Sequence, residues 1–122
     1  MSLRSLASLS SLVSLCFLLP STALAQTAPA GNAQNGKELF MKHTCYYCHG
    51  TYGQGGRDGA RIAATAMTFQ GVINYVRKPA GGMPAYTEKI LTDRELTDIY
   101  AYLKSLPPAK APKDIPLLEQ IK

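Results

Sequence analysis

The sequence predicts a small all-α domain, and three observations predict it. Apolar residues recur at helical spacing in three segments, opened by Asn35, Thr68 and Thr92 as capping residues. Two glycine-rich loops, over residues 50–59 and 80–86, separate these segments. A length of 122 residues, 46% apolar and 17% charged, suits one globular domain and excludes a disordered, collagen-like or coiled-coil chain and a multi-domain enzyme. The net charge of +5 is scattered, with no Lys/Arg block interleaved with aromatics, so nucleic acid is not an expected partner.

Residues 1–25 differ in kind from the rest. Arg4 is their only charge, a Leu/Ser/Val/Phe run of 14 residues extends from Leu6 to Leu19, and Pro20 breaks it. Ala23-Leu24-Ala25 then carries the small residues of a signal-peptidase site. Crossing a hydrocarbon core takes about 20 residues, so the segment reads as a secretory signal cleaved after Ala25 rather than as an anchor. No other segment is apolar enough to span a membrane, and no stable membrane insertion is expected after cleavage. A lipoprotein signal through Cys16 is disfavoured by Leu15, which stands where a small residue belongs. The mature chain keeps 97 residues, 12 basic against 8 acidic, and only Cys45 and Cys48. Its compartment, the periplasm or an equivalent exported space, permits disulfides. A bridge between these two neighbours would close a tiny loop and staple almost nothing, and a chain this small gains from a bound group within its core.

Residues 26–34, with Ala, Gln, Pro, Gly and Asn, read as a flexible lead-in. From Asn35 a first helix places Leu39, Phe40 and His43 on one face and runs into Cys45-Tyr46-Tyr47-Cys48-His49. Five glycines between Gly50 and Gly59 make a loop able to approach another surface closely. Thr68 caps a short helix through Phe69, Val72, Ile73 and Val76, stopped by Pro79. The second loop, Ala80-Gly81-Gly82-Met83-Pro84-Ala85-Tyr86, leads to the best-marked helix start in the chain. There Thr92 and Glu95 form a capping box, and Leu91 and Leu96 a hydrophobic staple. Leu96, Ile99, Tyr102, Leu103 and Leu106 give one apolar face, and Pro107-Pro108 ends the helix. The domain spans 35–107 on this reading. Residues 108–122, with Pro112, Pro116 and five charges, form an irregular C-terminal tail.

The chemistry is concentrated in Cys45-x-x-Cys48-His49. Two thiols three residues apart can each add across a vinyl group of one haem while the next residue presents an imidazole to the iron, the pattern of c-type haem attachment. Other uses of the cysteines fit less well. A thioredoxin-like dithiol needs a strand before it and a helix after it, whereas this pair follows a helical pattern and precedes a glycine loop. A zinc site needs four ligands, and the only further imidazole is His43. A plain structural disulfide is the remaining option. A haem iron held by one histidine takes a sixth ligand, usually Met or His, or keeps an open site. His43 lies too close to Cys45 to reach the opposite face and reads as a surface side chain. Met41 and Met67 read as core filler. Met83 stands apart in its Gly-Gly-Met-Pro loop, where glycines let backbone approach a flat ring and proline stiffens the segment presenting the thioether.

From Asn35 to Leu106 the chain resembles the soluble class I cytochromes c. The likeness rests on Gly36 and Phe40, Cys45/Cys48/His49, Met83-Pro84 and Ala101-Tyr102-Leu103-Lys104. The resemblance implies an all-α class I cytochrome c fold, about three to four helices wrapped around one covalently attached haem. It also implies that the first and last helices cross at Gly36, with Phe40 and Tyr102 packed at the crossing. Two departures stand out. Phe40 to Cys45 is one residue longer than the commonest spacing, which predicts an extra partial turn or bulge. Gly59-Ala60 replaces a frequent Gly-Pro pair whose carbonyl orients the imidazole; a main-chain carbonyl survives that change.

The expected function is therefore that of an exported monohaem c-type cytochrome, a one-electron carrier and not an enzyme. Cys45 and Cys48 are its expected covalent anchors for haem c, and His49 and Met83 its axial iron ligands. Two rival readings stand beside it. One is a haem-bearing subunit of a larger periplasmic dehydrogenase, which the resemblance of Val72-Ile73-Asn74-Tyr75-Val76-Arg77 through Gly81-Gly82-Met83-Pro84 to cytochromes accompanying such enzymes favours. The other is a haem enzyme with an open sixth position. The expected partners are redox proteins. By the same resemblance, Tyr46, Tyr47 and the Met83 loop rim an exposed haem edge. Lys42, Arg57, Arg61, Lys78 and Lys89 outnumber Asp58 and Glu88 nearby, which suits an acidic docking face.

Overall fold

The computed structural model describes residues 29–121. The expected leader, residues 1–25, lies outside them. The described residues form five helices and no strand: α1 (Ala33–Lys42), α2 (Tyr46–His49), α3 (Phe69–Arg77), α4 (Asp93–Ser105) and α5 (Pro116–Glu119). The number exceeds three to four because α2 and α5 are single turns.

Helix α1 begins earlier than its sequence suggests. Asn32 is the cap, its side chain accepting from the amides of Gln34 and Asn35 at 3.0 and 3.1 Å. Asn35, the expected cap, lies inside the helix, where its side-chain amide donates to the Asp98 carboxylate at 2.7 Å. The lead-in correspondingly stops short of residue 34. The Asn32 amide donates to Asp98 at 2.7 Å, and a Cβ on Gly31 would overlap the Thr97 carbonyl oxygen. Asp98 of α4 thus selects between two asparagines that are locally equivalent.

The principal helix contact is α1 against α4. A Cβ on Gly36 would overlap the Asp98 carbonyl, so only glycine allows the two backbones this approach. Phe40 and Tyr102 meet one turn further along, ring centroids 5.6 Å apart at 58°. Around them Leu39, Ile73, Leu91, Leu96, Ile99 and Leu103 complete the buried core, each burial stabilising by about 1.5–3 kcal/mol.

Helices α3 and α4 begin as their capping residues predict. The Thr68 hydroxyl accepts from the Gly71 amide at 3.1 Å. The Thr92–Glu95 capping box is complete in both directions, and the staple residues Leu91 and Leu96 are buried. Between α2 and α3 the chain has no regular structure, and α4 supplies partners for its backbone. The Tyr102 hydroxyl donates to Thr51 O at 2.9 Å, Tyr100 to Met67 O at 3.0 Å and Lys104 to Thr65 O at 3.1 Å, while the Leu103 carbonyl accepts from Ala64 N. The tail, expected to be irregular, holds a 3-10 turn at Pro112–Asp114 and then α5, each with a proline in its first turn.

Candidate functional site

The extra residue before Cys45 is accommodated in the turn after α1. Thr44 adopts a left-handed conformation (φ 57°), and the Cys45 amide reaches back five residues to the Phe40 carbonyl at 3.1 Å. This bulge rotates the chain into α2, which carries Cys48 and His49. His43, expected at the surface, is instead drawn inward by the same turn. Its side chain is 9% exposed, and Nε2 is buried without a hydrogen-bond partner, 4.0 Å from Glu95.

After His49 the loop folds back beneath it. A Cβ on Gly59 would lie 2.7 Å from the Cys48 carbonyl oxygen, so glycine is what lets this loop close. That closure brings the Ala60 carbonyl to 2.7 Å from His49 Nδ1. A carbonyl only accepts, so Nδ1 carries the proton and Nε2 is left with a lone pair for a metal.

Cys45, Cys48, His49 and Met83 all line one cavity of about 720 Å³, within the range of pockets that enclose small-molecule ligands. Its floor is the core side of α4, with Leu96, Ile99 and Leu103. Both cysteines are free thiols. Burial pushes the Cys45 thiol up to about 11, the opposite of the lowered value a dithiol redox centre needs. Among the described residues no three His, Cys, Asp or Glu side chains are grouped to hold a bare metal ion, so a zinc centre on these cysteines lacks its other donors. Of the other methionines, Met41 is exposed on α1 and Met67 is 44% exposed at the cavity wall. Neither is core filler as expected.

The loop bearing Met83 is fixed chiefly by a residue that the sequence reading passed over. Tyr86 lines the cavity and donates its hydroxyl to the His43 carbonyl at 2.9 Å. Burial pushes its phenol up, keeping the proton that it donates. Arg77, at the end of α3, donates to the Tyr86 carbonyl at 2.8 Å and also to Asp93 at the start of α4. The available sequence signal was an aromatic three residues after Met83, followed by a capped helix.

The model of one protein family, described as cytochrome C oxidase, cbb3-type, subunit III, matches residues 31–103. The chain belongs to this family. Neither curated proteins nor solved structures give a further match. As a cytochrome c domain it serves haem-based electron transfer, with haem c bound covalently. The residues present fit that group: an apolar cavity, two thiols on one wall, and an imidazole whose second nitrogen is already committed to Ala60. The match begins at Gly31, where the docked part of the chain begins.

Proposed function

We propose that the protein is an exported monohaem c-type cytochrome that passes single electrons between redox-partner proteins, with Cys45 and Cys48 as thioether anchors and His49 and Met83 as axial ligands. The observation carrying this reading is that all four residues line one apolar cavity, with His49 held in the ligating tautomer by Ala60. The bound haem supplies the redox change, its iron alternating between ferrous and ferric. The chain's own residues do the rest. Cys45 and Cys48 fix the ring through carbon–sulfur bonds, and Ala60 holds His49 in orientation. The apolar wall disfavours additional positive charge, and the soft thioether of Met83 favours the reduced metal; both raise the potential relative to a bis-histidine site. Were His49 and Met83 both to hold the iron, no site on it would stay open to a substrate, and the group would supply electron transfer rather than bond chemistry.

A single C-x-x-C-H in the 122 residues supports one haem, and the character of residues 1–25 supports export. One observation favours a second reading, a haem-bearing subunit of a larger oxidoreductase complex: the matched family is described as an oxidase subunit. Co-purification from the native host distinguishes the free shuttle from the bound subunit. The primary reading is tested by expression with a c-type maturation system, denaturing electrophoresis and haem staining. A stained band that Cys45→Ala/Cys48→Ala abolishes is expected, and a colourless wild-type band would overturn it.

A further inference from the structure

Between α3 and α4, Met83 stands on a segment with little support of its own. Among the described residues no backbone hydrogen bond involves residues 79–85, and Gly81 and Gly82 have open space where a Cβ would lie. Tyr86, three residues on, is tied in three ways. Its amide donates to Val76 O at 3.0 Å, its carbonyl accepts from Arg77 at 2.8 Å, and its hydroxyl donates to His43 O at 2.9 Å. Its ring also stands edge-on to the His43 ring, centroids 6.3 Å apart. Arg77 extends the connection to Asp93 of α4.

The far end of this brace is the costly turn that precedes the cysteines. Thr44 is left-handed, and the His43 ring has a buried nitrogen with no partner, both unfavourable locally. The carbonyl of His43, in this turn, accepts from the Tyr86 hydroxyl. One hydroxyl therefore connects the Met83 loop directly to the segment carrying Cys45.

We propose that Tyr86 and Arg77 are positioning residues for Met83, bracing its loop against the turn before Cys45 and so holding the thioether on the iron. The proposal rests on the His49/Met83 reading above. A structural role alone would affect unfolding; this one also sets how often the sixth position opens.

The test uses ferric holoprotein and imidazole, which occupies the sixth position only while Met83 is off the iron. Tyr86→Phe is expected to raise apparent imidazole affinity about fivefold, the worth of one net hydrogen bond. Arg77→Met, losing both arms, raises it further, and Arg77→Lys, keeping one donor, falls between wild type and Arg77→Met. Tyr102→Phe loses the same kind of hydroxyl-to-carbonyl bond, to Thr51, away from the Met83 loop. It is expected to lower the unfolding midpoint while leaving imidazole affinity at the wild-type value. Wild-type affinity in Tyr86→Phe, or an equal rise in Tyr102→Phe, overturns the proposal. Wild-type protein that binds imidazole as tightly as Met83→Ala overturns both the proposal and the ligand reading beneath it, a result distinct from the first two.

Discussion

Ala60 contributes to the site through its carbonyl, and its amide donates to nothing among the described residues. Proline at this position would therefore keep the bond to His49 and lose none. Ala60→Pro is expected to stabilise the holoprotein by about 0.5 kcal/mol by restricting the unfolded chain, read as a higher thermal midpoint with an unchanged optical spectrum. Gly59 is the opposite case. Gly59→Ala introduces a Cβ 2.7 Å from the Cys48 carbonyl oxygen, and destabilisation of about 2 kcal/mol is expected, as for other overpacked sites. Such residues differ in how far their sequence reveals them. The carbonyl beneath His49 was legible only through the family resemblance, which sets Gly59-Ala60 where a Gly-Pro pair is frequent. His43 and Tyr86 were not, because each is defined by the other across 43 residues and by a left-handed Thr44 that no local pattern announces.

At the level of helices, α3 and α4 were legible because Thr68 and Thr92 act on amides within one turn, a local interaction that their spacing encodes. The start of α1 was not, since Asn32 and Asn35 are both good caps and the tertiary partner Asp98 decides between them. The approach of α1 to α4 makes Gly36 the most sensitive position of this pair. Gly36→Ala is expected to cost about 3 kcal/mol or more, or to prevent recovery of holoprotein, because backbone rather than a movable side chain stands in the way. The same pair carries a pH dependence. Asp98 is held below the usual carboxylate range by the Asn32 amide and the Asn35 side chain, and Glu95 by the Thr92 amide and hydroxyl. Groups with depressed folded values contribute stability above their unfolded values and lose it as pH falls through the folded ones. Holoprotein stability is thus expected to decline from about pH 4.5 downward. Glu95→Gln/Asp98→Asn should flatten this acid limb in urea unfolding and cost about 1 kcal/mol at neutral pH, both groups being only partly shielded from solvent.

Across the whole molecule, charge bears on the choice of partner. Residues 26–122, the chain without the expected leader, carry 12 basic and 8 acidic residues. Arg57 pairs with Asp58 at 3.2 Å and Arg61 donates to Pro107 O, whereas Lys42, Lys78 and Lys89 are exposed and in no ion pair among the described residues. Tyr47, which lines the cavity, is 79% exposed, so the wall holding the cysteines reaches solvent. An acidic docking face would exploit these lysines over a Debye length of about 8 Å. Reduction by a physiological donor should slow as salt rises, and Lys78→Glu/Lys89→Glu should lower the low-salt rate about tenfold; a flat salt dependence in both proteins would point to apolar docking instead. The proposed ligand set requires that Met83, and not Met67 on the wall of the same cavity, completes the iron. The ferric optical spectra of wild type, Met83→Ala and Met67→Ala decide this. Wild type and Met67→Ala are expected to show the weak red-end band of Met ligation, and Met83→Ala to lose it and to bind carbon monoxide when reduced; loss of the band in Met67→Ala with retention in Met83→Ala would contradict the assignment of Met83 to the iron.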